Sequence, residues 1–418
     1  MPLMQFMQLL RMAIRNVFRN QRRTWLTASV IAIGIAGMGI LSSFYQGELE
    51  EMMESTIRSQ TGHLRVQALG YAKEARTMPL DLALNQPSGL IRQIEQLPGV
   101  DFVAPHIRFG SMLSNGERTI ALRVQAVDPA REVKLNYLNQ KLVEGHYLTG
   151  GNQNNQDSQN NEILVGKKLA KDLKVKTGST LTLISNTSQG GMNAMDLKVA
   201  GIFASGSNGL DESTVFIPLE SAQTLLYMPD QVTDLTVFLK NRADADSVKQ
   251  KVQALGKHEV QTWQEMNKDL MNMVGMVKSS QGIISAILFI IAIFSIVNTM
   301  TMSVTERTRE IGAMMAMGTY RREIVGLFLL EGGALGTLGA AIGTLIAMPI
   351  AGYFAIHGVR VSGASSMNIG LGDVIYFGFN LSTFAGYFLL GILVTTLASA
   401  YPAWMAARLK PVKALRQL

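Results

Sequence analysis

Cysteine is absent from the chain, which excludes a disulfide framework, a thiolate metal site and a cysteine nucleophile. Charge is scarce: 17% of residues are Asp, Glu, Lys or Arg, against about 25% in an average soluble domain. The phosphate-cradling pattern Gly-x4-Gly-Lys-Ser/Thr occurs nowhere, so these residues offer no P-loop for ATP. The histidines, His63, His106, His146, His258 and His357, lie without metal-ligand spacing and read as surface or packing residues. Paired acids such as Asp211-Glu212 fall in an expected turn and read as solvated rather than catalytic. What the chain has in quantity is apolar: 47% hydrophobic residues, a mean hydropathy of +0.17 and 24 methionines. Met266, Met271, Met273 and Met276 invite a Cu(I) thioether site, but their spacing also suits the apolar face of a helix, and methionine as a flexible packing residue is the preferred reading.

Four runs meet the length of about 20 residues that a bilayer-crossing helix needs. Trp25 to Phe44 and Ile283 to Val304 carry no charge. Leu327 to Ile356 carries only Glu331, near its start, and Phe384 to Tyr401 stops at Pro402. Ala32 and Ala36, Gly332 and Gly336, and Gly339 and Gly343 are spaced for close helix packing.

The net charge of +7 and the pI near 9.5 raise the question of a nucleic-acid partner. The positions of the basic residues answer it. Arg11, Arg15, Arg19, Arg22 and Arg23 precede the first apolar run without any acid. Arg307, Arg309, Arg321 and Arg322 lie between the second and third runs, and Arg408, Lys410, Lys413 and Arg416 follow the fourth, whereas the loop between the third and fourth holds only Arg360 and Asp373. By the positive-inside rule both termini and the 305–322 segment are cytosolic, and residues 45–282 lie outside. The basic excess is topological, and no nucleic acid is expected. A cleaved signal peptide is disfavoured, because the first apolar run is long and no Ala-x-Ala-type site follows it. Ahead of that run, Leu3, Phe6, Leu10, Ala13 and Val17 recur at helical spacing with arginines between them, the pattern of an interfacial helix on membrane lipid.

Within the external stretch, the first helix is expected to continue through Glu48, Glu50, Glu51 and Glu54 to about Gln60 as a stalk. A strand (His63 to Ala68) and a helix (Leu90 to Leu97, ended by Pro98-Gly99) follow. Two alternating runs, Val100 to Leu113 and Arg118 to Val127, are joined by Asn115-Gly116, a hairpin signal. Gly150 to Asn161 is almost wholly small and polar and reads as a loop. A strand-rich group comes next: Glu162 to Val165, Thr180 to Ile184, Leu197 to Phe203 and Thr214 to Ile217. Strand Leu235 to Leu239, helix Ala243 to Leu255 and strand Glu259 to Thr262 resume the first pattern, and a helix from Trp263 to Ser280 leads back as a second stalk.

The segment from Glu306 to Arg322 is the most informative. On a helix, Ile311, Met314, Met315 and Gly318 form one apolar stripe, with the charges turned away and Glu306 able to pair with Arg309. Such a helix can set one face in a partner's groove. The run Glu306-Arg-Thr-Arg-Glu-Ile-Gly-Ala-Met-Met-Ala-Met-Gly318, with Arg321-Arg322 and Phe328-Leu-Leu-Glu331, resembles the signature of FtsX-like (MacB-type) ABC transporter permeases. The ending Tyr401-Pro-Ala403, Ala406-Ala-Arg408, Pro411-Val412 and Ala414-Leu-Arg416 is similar to that family's C-terminus. Two departures are Met315, where the family commonly has a basic residue, and Thr319-Tyr320, where Ala-Ser is usual. Glu162-Ile-Leu-Val-Gly166 with Leu169-Ala170 resembles the family's inserted subdomain, and Gly201-Ile-Phe, Gly206, Asp211, Phe216-Ile-Pro-Leu219 and Ala222-Gln223 are similar to lipoprotein-releasing permeases.

The resemblance implies an α-helical membrane protein with four transmembrane helices and a large α+β periplasmic domain between the first and second. In these terms the chain divides into an interfacial helix (1–24), the first transmembrane helix and stalk (25–60), a periplasmic α+β domain (61–262) with a β-rich insertion (about 141–229), the second stalk and transmembrane helix (263–304), a cytosolic coupling helix (305–322), transmembrane helices three and four (323–401) and a cytosolic tail (402–418). It implies a permease of the mechanotransmission type (type VII) in a bacterial inner membrane, not itself an enzyme and holding no cofactor. A separate cytosolic ABC ATPase dimer would carry ATP and Mg2+, a second permease subunit, identical or homologous, would complete the complex, and a periplasmic carrier or adaptor would receive the cargo. The ATPase-coupling residues so implied are Glu306, Arg307, Arg309, Glu310, Ile311, Gly312, Met315, Gly318, Arg321 and Arg322. The leading expectation is extraction of a lipoprotein or other amphiphile. The alternatives are tripartite efflux of a drug, peptide or toxin, and cargo-free signalling to a periplasmic cell-wall hydrolase.

Overall fold

The computed structural model describes residues 3–19, 21–135, 137–149, 161–205, 208–360 and 374–411. The Gly150 to Asn161 loop, apart from Asn161 itself, and the tail from Val412 onward fall outside that set, as do Gly206 and Asp373. The chain forms two compact bodies. One draws on Met1–Glu50, Met273–Val359 and Ile375–Leu418, the other on Glu51–Asn272 and Arg360–Val374.

Among the described residues four helices are long and apolar enough to cross a membrane: Gln21–Thr61, Lys268–Glu306, Arg321–His357 and Leu381–Ala407. Each contains one of the expected apolar runs and overshoots it. The first, 41 residues long, measures about 60 Å at ~1.5 Å per residue, roughly twice the ~30 Å hydrocarbon thickness. The last turn of that helix, Ile57–Thr61, is π-wound. The fourth does not stop at Pro402 as expected. It breaks at Ser399 and resumes as Ala400–Ala407, which places Pro402 in a first turn, where a missing N–H leaves no intrahelical bond unmade. Ile31, Ile35 and Met38 of the first helix meet Ile296 and Met300 of the second, Leu335 and Ala340 of the third and Ala398 of the fourth.

The third helix touches its neighbours through glycine. A methyl group on Gly343 would lie 2.6 Å from the Ala32 carbonyl oxygen, and one on Gly339 would lie 2.7 Å from Ile31 Cβ, so the first helix approaches at backbone distance. Gly332 and Gly336 are closed off in the same way by Ser399 and Thr395 of the fourth. The N-terminal helix Leu3–Arg19 buries Ala13 and Val17 and leaves Met7, Met12 and Ile14 exposed.

The other body is built on one ten-stranded sheet. Its strands are β1 (Leu64–Ala68), β2 (Val100–Ser114), β3 (Thr119–Val127), β4 (Leu142–Gly145), β5 (Glu162–Gly166), β6 (Thr180–Asn186), β7 (Met192–Phe203), β8 (Thr214–Pro218), β9 (Asp234–Leu239) and β10 (His258–Thr262). The order is β10-β1-β9-β2-β3-β8-β5-β7-β4, with β6 pairing both β2 and β7. The β2–β3 hairpin forms as its sequence predicts: Asn115 Oδ1 accepts from the amides of Glu117 and Arg118, and Gly116 takes φ +90°, the left-handed conformation the turn requires.

The segment expected as a separate insertion, 141–229, joins this same sheet. β8 lies parallel to β3, β6 extends from β2, and Ile163, Leu181 and Val215 share one core with Leu64, Val103 and Val237. Strand alternation sends Leu64, Val66, Ile107, Phe109, Val124, Leu235 and Val237 into that core. Many residues of opposite parity, such as Arg65, Gln67, His106, Asp234 and Thr236, are polar, and several are buried all the same, beside a small apolar group of Phe102, Ala104 and Phe238. The second stalk is also not one helix: Trp263–Met266, capped by a reciprocal Thr262–Glu265 box, ends at Asn267 (φ −113°, ψ 52°), and the long helix starts afresh at Lys268. Asp211, expected in a solvated turn, is buried on a short helix, and its carboxylate accepts from the Ser205 amide (2.9 Å) and hydroxyl (2.6 Å). Burial raises its pKa, and those two hydrogen bonds oppose the rise.

Candidate ATPase-coupling site

The long helix Lys268–Glu306 ends where Arg307 turns out of helical geometry (φ −104°, ψ 18°). A separate helix, Thr308–Ala316, then crosses to the next long helix, which begins at Arg321. We call Thr308–Ala316 the link helix. Its C-terminus is closed by a Schellman motif: the Thr319 amide donates to the Met314 carbonyl (3.1 Å) and the Gly318 amide to that of Met315 (3.2 Å). The motif needs a left-handed residue, and Gly318 supplies it at φ +100°. Gly318 is therefore a cap outside the helix, exposed, and not the fourth member of an apolar stripe.

The rest of the stripe exists, but it faces inward. Ile311 is 1% exposed and packs with Val304, Ile324, Phe328, Ala403, Ala406 and Ala407, and Met314 and Met315 border the same cluster. Gly312 is buried beside Ile311. The apolar face is thus covered by the chain's own third and fourth long helices, not left open for a partner. Helical periodicity identifies an apolar face but not what covers it.

Ion pairs secure the other sides. Glu306 accepts from Arg23 at 3.0 Å, and Glu310 accepts from Arg19 at 2.6 Å. Arg307 reaches Glu331 on the third helix at 3.4 Å, both side chains nearly buried (11% and 6% exposed). Together with Asn16, Thr27 and Ser303, these charged groups except Glu310 border a polar cavity of about 150 Å³. The Arg19–Glu310 pair, about half exposed on each side, is screened by solvent and adds little to stability. The Arg307–Glu331 pair is different in kind: loss of one partner strands a buried charge, at a cost of ~3–5 kcal/mol.

What remains open is the turn after the link helix. Met317 is 80% exposed and Tyr320 65%. Arg321 and Arg322 are exposed, and Arg322 stacks on the Tyr320 ring at 5.3 Å. The Tyr320 amide donates to Glu323 Oε2 (2.9 Å), starting the third helix. The implied coupling residues therefore separate into two groups. Glu306, Arg307, Glu310, Ile311, Gly312 and Met315 hold the link helix to its own body, and Gly318, Arg321 and Arg322 belong to the exposed turn; Arg309 is exposed on the link helix itself. Met317 and Tyr320 join the second group and were not singled out by pattern. Arg19 and Arg23, read as topology signals, are four residues apart, as are Glu306 and Glu310, and that matched spacing was the available clue.

The pattern Gly201 to Gln223 is likewise structural. Gly166 is pressed against the Asp211 backbone, Gly201 against the His146 carbonyl, and Phe203 meets Phe216 edge-on at 5.4 Å. Among the described residues no cluster of His, Asp or Glu is arranged for a metal.

The family model for the MacB-like periplasmic core domain matches residues 24–255, and that for the FtsX-like permease C-terminal region matches residues 282–411. The chain belongs to the FtsX-like, MacB-type permease family. It is similar to the lipoprotein-releasing system transmembrane protein LolC of Xylella fastidiosa, with 25% identity over 92% of each chain. LolE of Haemophilus influenzae, another transmembrane protein of a lipoprotein-releasing system, is 24% identical over 92% of this chain and 91% of its own. The macrolide export ATP-binding/permease protein MacB of a Shewanella species is 26% identical over 98% of this chain, which spans 60% of that relative's length. The protein is thus an ABC transporter permease, and its family implies an ATPase partner and a permease partner.

Proposed function

We propose that this chain is the permease subunit of a mechanotransmission (type VII) ABC transporter that extracts a lipoprotein, or a similar amphiphile, from the outer leaflet of a bacterial inner membrane. In this reading both termini are cytosolic and the sheet body is periplasmic. A separate ATPase dimer, which binds ATP and Mg2+, seats on the turn Met317–Arg322, with the link-helix residues behind it. The observation that carries the coupling role is the division between that exposed turn and the link helix, whose apolar face is wholly engaged with the third and fourth long helices. A push on the turn cannot be absorbed by the link helix alone. It passes through Ile311 and the Arg307–Glu331 pair into the long helices, the shear type of transmission. The lipoprotein cargo is supported by the full-length similarity to LolC and LolE, over about nine-tenths of both chains.

The test is reconstitution of the permease with its ATPase and second permease in liposomes carrying a lipoprotein, with a soluble periplasmic carrier outside. ATP should transfer the lipoprotein to the carrier. Robust ATP hydrolysis with no transfer would count against this cargo. The similarity to MacB across 98% of this chain favours tripartite efflux as the second reading; there, ATP- and adaptor-dependent expulsion of a macrolide or peptide would replace lipoprotein transfer.

A further inference from the structure

The polar side of the large sheet is not a solvated surface. Opposite residues on paired antiparallel strands face the same way, so the registers Arg65↔Thr236, Gln67↔Asp234, Asp234↔His106, Arg108↔Gln125 and Gly110↔Arg123 place all these residues on one face. Gln67, His106, Asp234 and Thr236 are at most 2% exposed. Burying so many polar groups is costly unless each is partnered. His106 is: Nε2 contacts Glu132 (2.7 Å) and Nδ1 contacts Thr236 Oγ1 (2.7 Å).

The arginines are not fully partnered. Arg108 Nη1 and Arg65 Nε share a single oxygen, Asp234 Oδ1, at 3.0 and 3.6 Å. Neither nitrogen makes an aligned hydrogen bond, so the contacts are ionic only. A third guanidinium, Arg123, stands exposed on the same face, with a 3.5 Å contact to Ser213 Oγ. Two guanidiniums therefore share one carboxylate, and a third lines the same cleft. Burial, and next the like charge of Arg108, hold the Arg65 guanidinium down to about 10, against the pull of Asp234. Asp234 itself meets the burial penalty and is still held below the ordinary carboxylate range, chiefly by Arg108 and Arg65. The cluster has a surplus of positive charge. The three arginines, with Gln67, Tyr71 and Gln125, line a cleft of about 250 Å³.

We propose that this cleft binds a phosphate-type oxyanion, with Arg65, Arg108 and Arg123 as its cationic walls. Guanidinium forks suit a phosphate's several oxygens better than a single carboxylate oxygen, and a buried nitrogen without an aligned acceptor is where one is missing. The cleft is also lined by Gln60 and Thr61 and by Met266 and Asn267. The first two lie shortly before the sheet body's first strand and the second two shortly after its last, so a bound anion cross-links the domain's entry and exit. The site stands whether or not a lipoprotein is the cargo.

The test is calorimetric titration of the full-length chain in nanodiscs of neutral lipid at fixed ionic strength, with inorganic phosphate and with glycerol phosphate. Saturable binding is expected, weakened about tenfold in Arg123→Gln, a variant that removes no buried partner and should melt at the wild-type temperature in the absence of anion. Arg108→Gln alone would strand Asp234, so the paired variant Arg108→Gln/Asp234→Asn is the second probe, with binding lost and near-ultraviolet circular dichroism unchanged. If that pair misfolds, Arg123→Gln still decides. Tighter binding of glycerol phosphate identifies a lipid headgroup as the natural source, and equal or tighter binding of inorganic phosphate identifies the free ion. No saturable binding by the wild type, or equal affinity in Arg123→Gln, overturns the proposal.

Discussion

The link helix and the turn that follows it are adjacent in sequence and opposite in physical character. From Thr308 to Ala316 the segment is held by a buried isoleucine, by the Glu310–Arg19 ion pair and by a capped end, with the Glu306–Arg23 pair just ahead of it. From Met317 to Arg322 it presents a methionine, a tyrosine and two arginines outward. The lesson is that a force-transmitting element needs a face fixed to its own body as much as one offered to a partner. A family signature merges the two roles into one string of residues.

Substitutions can pull them apart. The largest effect on stability is expected from Arg307→Ala, which leaves Glu331 as a buried carboxylate without its partner and costs ~3–5 kcal/mol. Denaturant unfolding in micelles would measure it, and Arg307→Ala/Glu331→Leu should recover most of the loss. If the single variant is as stable as the wild type, the pair is not holding the link helix. Next is Ile311→Ala, at ~2–5 kcal/mol for a core truncation, with ATPase docking reduced only as far as the fold is. Gly318→Ala should cost ~1 kcal/mol through the strained left-handed cap, and Gly318→Asn less, because asparagine tolerates that conformation. Equal stability of all three residues there would mean that the cap does not govern the turn. The smallest stability effect, within ~0.5 kcal/mol, belongs to Met317→Glu and Arg322→Glu. These same variants should give the sharpest functional loss, measured as co-purification of the ATPase. Normal co-purification would place the seat elsewhere.

Legibility in the sequence followed the same division. The four apolar helices were readable because runs such as Ile283 to Val304 contain no charge at all, and the β2–β3 hairpin because Asn115-Gly116 meets a specific backbone demand. The link helix was readable from Ile311, Met314 and Met315. That its face is covered by Phe328 and Ala403 was not, because those contacts join residues distant along the chain and periodicity is silent about partners. The same reason hid the unity of the sheet. β6 reaches β2 and β8 reaches β3 across long intervening segments, and nothing in a strand's alternation says which strand lies next to it. The short strand β4 went unread because its alternation is weak and Val143 is half exposed.

The glycine faces of the third long helix carry one more implication. Helices usually interlock, side-chain ridges of one set into the grooves of the other, and sliding then means climbing over each ridge. Gly339 and Gly343 on one side, and Gly332 and Gly336 on the other, are hollows that admit the first and fourth helices at backbone distance, while Leu335 and Ala340 interlock with Ile31, Ile35 and Ala398. The third helix is thereby keyed to both neighbours. A displacement of it must carry them along, and this same helix carries Glu331 at the point where the link helix takes hold.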